Sequence, residues 1–194
     1  MTKTMAGEAH ELYPLTGAER CELLRLARES IRSAIEGSAA APVLELPTEA
    51  LLAPGGAFVT LRLDEELRGC IGALWPRDPL YRTVVRMAQA SALEDPRFAP
   101  LQPAELAQVV IEISRLGPPR PAEPEGVDPT RHGLYVVRET ARGLLLPQVA
   151  LRFAWTREQF LAETCVKAGL PADAWHHPET ALFVFEAEVF SEIG

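Results

Sequence analysis

After Thr16, apolar residues recur at helical spacing: Leu24, Ala27, Ile31 and Ala34 or Ile35 fall on one face. Thr16-Gly17-Ala18-Glu19 precedes them as a capping box, and Gly37 supplies a stop. The spacing predicts an amphipathic helix between the two, with Cys21 a structural residue in its first turns. Ala39 to Gly56, rich in Ala, Pro and Gly, reads as a loop. The period then changes. Phe58 to Leu63 predicts a strand, Asp64-Glu65-Glu66 a polar turn, and Leu67 to Leu74 the returning arm of a hairpin. Asp78 as N-cap and Pro79 at N1 open a helix to about Leu93, with Leu80, Val84, Met87, Ala88 and Ser91 on one face. Asp95-Pro96-Arg97-Phe98 ends it in a turn. Val109 to Leu116 is β-branched and strand-like, with Glu112 set among apolar neighbours.

Gly117 to Thr130 carries five prolines and reads as an extended linker or surface loop between two lobes. Leu134 to Arg138 and Leu144-Leu145-Leu146 form the arms of a second hairpin, around a turn near Ala141-Arg142-Gly143. Thr156-Arg157-Glu158-Gln159 is a second capping box, and its helix runs to Gly169. Pro171 to Trp175 forms one more turn, and Ala181 to Phe190 a single terminal strand. Strands that arrive as hairpins, with helices outside any βαβ alternation, predict an α+β fold of mostly antiparallel sheet with flanking helices. One domain is expected over 16–190, its two lobes meeting in the 117–130 segment, after a flexible N-terminus over 1–15.

Composition narrows the function. The chain has 194 residues, 47% of them hydrophobic, enough for a real core. Its net charge is -8 with no basic cluster, which argues against nucleic-acid binding. No apolar run approaches the roughly 18 residues that span a membrane, and the polar start to Leu15 has no signal-peptide core. A cytoplasmic protein is expected. Cys21, Cys70 and Cys165 are far apart, with no CxxC pair and no disulfide framework. Without HExxH or a Cys/His cluster, no metal is expected; His176 and His177, before Pro178, read as a solvated loop. Neither GxGxxG nor a P-loop is present, and no cofactor is named by the residues.

The chemistry concentrates in Leu67-Arg68-Gly69-Cys70-Ile71-Gly72. In a strand, Arg68 and Cys70 project to one face, and a guanidinium beside a thiol favours thiolate. Gly69 and Gly72 point to a bulge or a close approach to the backbone. Cys70 is then a nucleophile or a ligand-contacting thiol; equally, a free cysteine serves as a small buried hydrophobe. A cysteine nucleophile calls for a base, and His132 is the candidate, the alternative being a turn residue before Gly133. Arg68 suits an anchor for a carboxylate or phosphate. It also suits an ion pair with Glu112, since a carboxylate in an apolar strand needs a partner. Arg97 carries the same two readings. Gln148 offers a side-chain amide to a ligand or to its own turn. Trp75, Trp155 and Trp175 belong to the core or a lobe interface, and Cys165 to the core.

LRGCIG, ALEDPRF, IEIS, HGL, GLLLPQVA and ETCVKAGLPADAW occur in this order. Together they resemble the AMMECR domain family, and most closely its bacterial branch, AmmeMemoRadiSam system protein A. The resemblance covers roughly Thr16 to Phe190; Ala99-Pro100 stands where the family more often runs Pro-Pro. It implies a single-domain α+β fold with a larger and a smaller lobe. It also implies the company of a Memo-like protein and a radical SAM protein, but no established reaction. The positions it nominates are Arg68, Gly69, Cys70 and Gly72, then Asp95, Arg97 and Phe98, then His132 and Gly133, then Pro147 and Gln148. Two functions remain open. One is a small-molecule-binding or thiol-dependent catalytic subunit with a small anionic ligand, its motif residues converging on a concave pocket. The other is a non-catalytic interaction module, with those residues spread over a flat or convex face.

Overall fold

The computed structural model describes residues 12–38, 41–75 and 77–193. The flexible N-terminus expected over 1–15 lies, as far as residue 11, outside the described residues. At its end Leu15 is buried, and its N–H donates to both Glu188 carboxylate oxygens at 3.0 and 3.1 Å.

The predicted capping box opens α1 (Gly17–Ile35): Thr16 N–H donates to Glu19 at 2.8 Å, and Glu19 N–H to Thr16 Oγ1 at 3.3 Å. Leu23, Leu26, Ala27 and Ile31 form its buried stripe. Cys21 is exposed, which corrects its assignment as a structural residue. The stretch read as a loop contains one helical turn, α2 (Glu49–Leu52), which buries Leu51. The hairpin follows as β1 (Gly56–Leu63) and β2 (Glu66–Ala73). Asp64 and Glu65, at φ 51° and 67°, make a two-residue turn in the left-handed region that suits the twist of a hairpin. α3 (Leu80–Leu93) begins with Pro79 as its N-cap; the Asp78 side chain makes no cap and instead pairs with Arg86 at 3.6 Å.

One further turn, α4 (Pro103–Leu106), precedes β3 (Val110–Leu116). The proline-rich stretch holds a two-residue strand, β4 (Arg120–Pro121). The second hairpin is β5 (Gly133–Arg138) and β6 (Ala141–Leu145), turning at Glu139 and Thr140. Gly143 is therefore not a turn residue. A Cβ there would lie 2.4 Å from Ala168 N and 2.6 Å from the Thr164 carbonyl oxygen, so close packing of a helix end on the strand is its reason. α5 (Pro147–Phe153) and α6 (Arg157–Lys167) follow, and the second capping box opens α6 as predicted. The terminal strand is two strands, β7 (Ala181–Phe185) and β8 (Ala187–Ser191), each in a different sheet.

The fold is α+β, and all its strand pairing is antiparallel among the described residues. The larger lobe is a sheet of order β2-β1-β3-β8, with α1 and α3 on one face over Ala57, Val59, Leu61, Ile111 and Ile113. The smaller lobe is a sheet of order β4-β7-β5-β6, with α6 packed through Phe160, Leu161 and Cys165 on Leu134, Val136, Leu182 and Val184. The opposite faces of the two sheets meet in a third apolar layer of Phe58, Leu74, Leu116, Tyr135, Leu144 and Phe185.

Two glycines make that layer fit. Gly72 stands opposite Phe58, and Gly133 opposite Phe185. A Cβ on Gly72 would lie 2.2 Å from the Phe58 ring, and one on Gly133 2.3 Å from that of Phe185. In each sheet a ring lies down on the bare backbone of its neighbour and turns its outer face to the other lobe. Trp75, just after β2, adds edge contacts to Tyr135 and Phe183, with centroids 6.3 and 5.7 Å away.

Candidate functional site between the lobes

β2 is an edge strand, and its free edge is held by side chains. A register shift between Leu61 and Arg62 leaves Arg68 as an extra residue, because Leu61 faces Gly69 while Arg62 faces Leu67. This is a bulge, and the period-two argument that put Arg68 beside Cys70 does not carry through it. The Arg68 guanidinium forks onto Glu105 at 2.8 and 3.0 Å and donates to the Ala99 carbonyl at 2.9 Å. Its expected pairing with Glu112 is not formed. Glu112 faces Thr60 across β1 and lies 3.9 Å from Arg62 instead. Arg68 thus ties α4 to the sheet edge. Arg68→Ala is expected to lower the melting temperature, and Arg68→Met with Glu105→Leu to recover much of the loss. Thermal denaturation of the double-mutant cycle should give a coupling of about 1–2 kcal/mol, and strictly additive losses would refute the pairing.

Gly69 lets the C-terminal end of α3 touch the strand. Ser91 Oγ accepts from Ile71 N–H at 2.9 Å and lies 2.7 Å from the Val59 carbonyl, so the hydroxyl bridges β1 and β2. The same hydroxyl is 2.7 Å from the Met87 carbonyl, and its single hydrogen serves one acceptor at a time.

Cys70 is gripped through its backbone. Its N–H donates to Asp95 Oδ2 at 2.8 Å, and its carbonyl accepts from Arg97 at 3.2 Å. Arg97 closes the clamp with a bidentate pair to Asp95 at 2.9 and 2.7 Å, and its own N–H donates to Asp95 Oδ1 at 3.1 Å. The Arg97 guanidinium, with these backbone N–H groups, holds the buried Asp95 carboxyl well below the usual carboxylate range. Arg97 is itself raised, chiefly by Asp95, with Cys70 contributing. The cation bonded to Cys70 is Arg97, through the Cys70 carbonyl, and not Arg68. The Cys70 thiol is half-buried, with Thr60 Oγ1 donating to it at 3.3 Å.

This thiol lines a cleft of about 460 Å³ between the lobes. The larger lobe supplies Phe58, Cys70, Ile71 and the Asp95-Pro96-Arg97 turn; the smaller supplies Leu144, Leu145, Leu146, Val149 and Lys167. Of the residues nominated from sequence, Cys70, Asp95 and Arg97 meet here. Gly72 shapes the cleft indirectly, by seating the Phe58 ring. Arg68, Glu112, Gln148 and His132 do not line it.

His132 lies elsewhere. It is buried in the smaller lobe, where its Nδ1 accepts from Asp128 N–H at 3.1 Å and its Nε2 lies 3.1 Å from Arg120. Burial, seconded by the Arg120 charge, lowers its pKa. The nucleophile–base pair expected of Cys70 and His132 is not assembled. Gln148 Nε2 donates to Ser114 Oγ at 3.2 Å, a tie between α5 and β3 across the lobes. Ser91, Glu105, Lys167 and the Leu144–Leu146 wall were not singled out from sequence. Two family words carried a signal for the last two: ETCVKAGLPADAW, which contains Lys167, and GLLLPQVA, which contains Leu144 to Leu146.

No group of three or more His, Cys, Asp or Glu that could hold a metal occurs among the described residues. None of their helices is long and apolar enough to cross a membrane.

Known proteins resemble this chain along most of its length. A protein of Methanothermobacter thermautotrophicus is 41% identical over 192 residues, covering 93% of this chain and 98% of its own. One from Nanoarchaeum equitans is 40% identical, covering 88% and 98%. The crystal structure of the uncharacterised protein PH0010 from Pyrococcus horikoshii matches with a TM-score of 0.82 at 40% identity, over 88% of this chain and 90% of that one. The family pattern described as AMMECR1 matches residues 24–190, from the body of α1 to the end of β8, with the Cys70 clamp and both walls of the cleft inside it. The chain belongs to the AMMECR1 family.

Proposed function

We propose that this protein binds a small molecule in the cleft between its lobes, with Cys70 as a contact in the wall. The observation that carries this reading is convergence. The LRGCIG strand, the DPRF turn and the Leu144–Leu146 wall come from separate parts of the chain and meet on one concave surface. Cysteine catalysis with His132 as base has no geometric support, so the thiol is assigned to binding. In this reading the protein acts in the cytoplasm beside a Memo-like protein and a radical SAM protein. That company comes from its resemblance to the bacterial branch, and a reaction on the ligand would belong to those partners.

Thiol labelling tests the reading. Cys165 is fully buried, and burial pushes its thiol pKa up, so it should stay unlabelled by iodoacetamide in the native protein. Cys21 on the surface and Cys70 in the cleft should both react. A low-molecular-weight filtrate of cell extract should then slow labelling of Cys70 and leave Cys21 unchanged, as read by mass spectrometry. Protection of Cys70 by the protein fraction alone would replace this reading with the interaction module.

A further inference from the structure

The charges around the cleft do not cancel. Asp95 and Arg97 close on each other at 2.7 Å and neutralise one another, and the same Arg97 Nη2 donates to the Cys70 carbonyl. Lys167 stands on the opposite wall, in the last turn of α6, and makes no ion pair among the described residues. Beyond the Asp95–Arg97 pair, one positive charge, on an exposed side chain, is therefore left over in a lining that is mostly apolar. Lys167, the one lysine among the described residues, places there a compact point charge on a flexible stem that can follow a ligand.

Resting on the small-molecule reading above, we infer that the ligand is a monoanion with an apolar body. Its carboxylate, or an equivalent group, sits on Lys167, and its hydrocarbon part lies between Phe58 and the Leu144–Leu146 wall, over the Cys70 thiol. One anionic charge is what balances the sum of Asp95, Arg97 and Lys167 in the cleft lining. A cationic head would face Lys167 with like charge. The volume lies in the lower part of the roughly 300–1,000 Å³ range of small-ligand sites, which suits a metabolite rather than a macromolecular segment.

The test uses hexanoate, its uncharged amide hexanamide and its cationic counterpart hexylamine on the intact protein. The readout is the rate of Cys70 alkylation by iodoacetamide, with surface Cys21 as internal reference. Hexanoate should protect Cys70 at concentrations at least tenfold below hexanamide, and hexylamine should not protect. Lengthening the carboxylate from butanoate to hexanoate should tighten protection about three- to fourfold per methylene. Lys167→Gln should bring hexanoate and hexanamide to equal potency, while Lys167→Arg keeps the preference. Equal protection by all three probes in the wild type would leave the cleft a binding site and overturn the anionic class. So would a carboxylate preference that survives Lys167→Gln. Failure of all three probes and of the filtrate to protect Cys70 would overturn the small-molecule reading itself. If Lys167 only complements the carbonyl end of α6, Lys167→Gln lowers the melting temperature but leaves the probe preference intact, which also overturns the proposal.

Discussion

Gly69→Ala should destabilise this protein by about 3 kcal/mol or more, beyond the usual range for adding one methyl group to a packed site. An added Cβ would lie 2.1 Å from the Ser91 carbonyl oxygen, 3.1 Å from its carbon and 3.7 Å from Leu61. The first two are backbone atoms of α3, which cannot rotate out of the way as a side chain can. Relief requires α3 to lift off the sheet. That would break the Ser91 bridge between β1 and β2 and loosen Val84, Met87 and Ala88 from the core. For a chain of this length the loss corresponds to roughly 6–12 °C in melting temperature. Gly17→Ala is the control, because nothing lies within 4 Å of a Cβ there. Alanine is also the better residue within a helix, so that variant should melt at or slightly above the wild type. A Gly69→Ala protein that melts with the wild type would mean that α3 does not sit where it is described.

Asp95→Ala is the second large effect. The carboxylate is 4% exposed and accepts from Cys70 N–H, Arg97 N–H and two Arg97 guanidinium nitrogens. Removing it strands a donor on the β2 edge, a cost of about 1–3 kcal/mol on its own. It also abolishes a charge pair. The arginine side chain is 49% exposed and is rehydrated once freed, so the pair contributes less than a fully buried one. About 2–4 kcal/mol is the expected total. The loss should be smaller in Asp95→Asn, which keeps one acceptor oxygen. The same site sets part of the acid limb. Its folded pKa is depressed below the ordinary value of 3.8, so its contribution is complete above the ordinary carboxylate range. It is lost as pH falls through that range and below it. Asp95→Asn should therefore be less stable than wild type at pH 7, with the gap narrowing steadily below about pH 4 in denaturant titrations. A gap constant down to pH 2 would place the stabilisation in something other than the charge.

How far the sequence disclosed this molecule depends on whether a feature is local. Capping boxes at Thr16 and Thr156 and the hairpin at Asp64-Glu65 depend on neighbours a few residues apart, and they appear as read. The α+β class followed from the same local signals. Two local readings failed, the Asp78 cap and the turn near Ala141-Arg142-Gly143; the other failures were long-range. Ala181 to Phe190 reads as one strand because both halves are β-formers, yet the two halves join different sheets on either side of Glu186. The Arg68 alternation was sound for a regular strand and was broken by the bulge between Leu61 and Arg62, a matter of pairing with β1 that period two does not encode. Glu112 looked short of a partner, but the closeness of Arg62 on the next strand depends on sheet order, which periodicity does not encode. His132 and Cys70 were paired because cysteine chemistry wants a base; their sheets turn out to be different. Gly72 was legible as a close-approach position, but the visitor is a phenylalanine of the neighbouring strand, not a ligand; Gly133, read only as the residue after His132, meets a phenylalanine in the same way.

β3 and β8 are neighbours, with Leu116 opposite Ala187 and Gly117 N–H bonded to the Glu186 carbonyl at 2.9 Å. The entire smaller lobe, from Pro118 to Phe185, leaves and rejoins the chain at one point on the larger sheet. In connectivity it is a parenthesis: cut out, it leaves β1, β2, β3, β8, α1 and α3 in unbroken order, with only the Phe58–Leu74–Leu116 face laid bare. Insertions of this form can be exchanged without disturbing the register of their host. The two walls of the cleft are then unequal under change. The Cys70 wall is built into the host's own edge strand, and the Asp95–Arg97 turn after α3 is bonded to it. The wall with Leu144, Leu145, Leu146 and Lys167 travels with the inserted cassette, so on the proposed binding role a new ligand preference can be acquired by altering the cassette alone while the thiol and its clamp stay fixed.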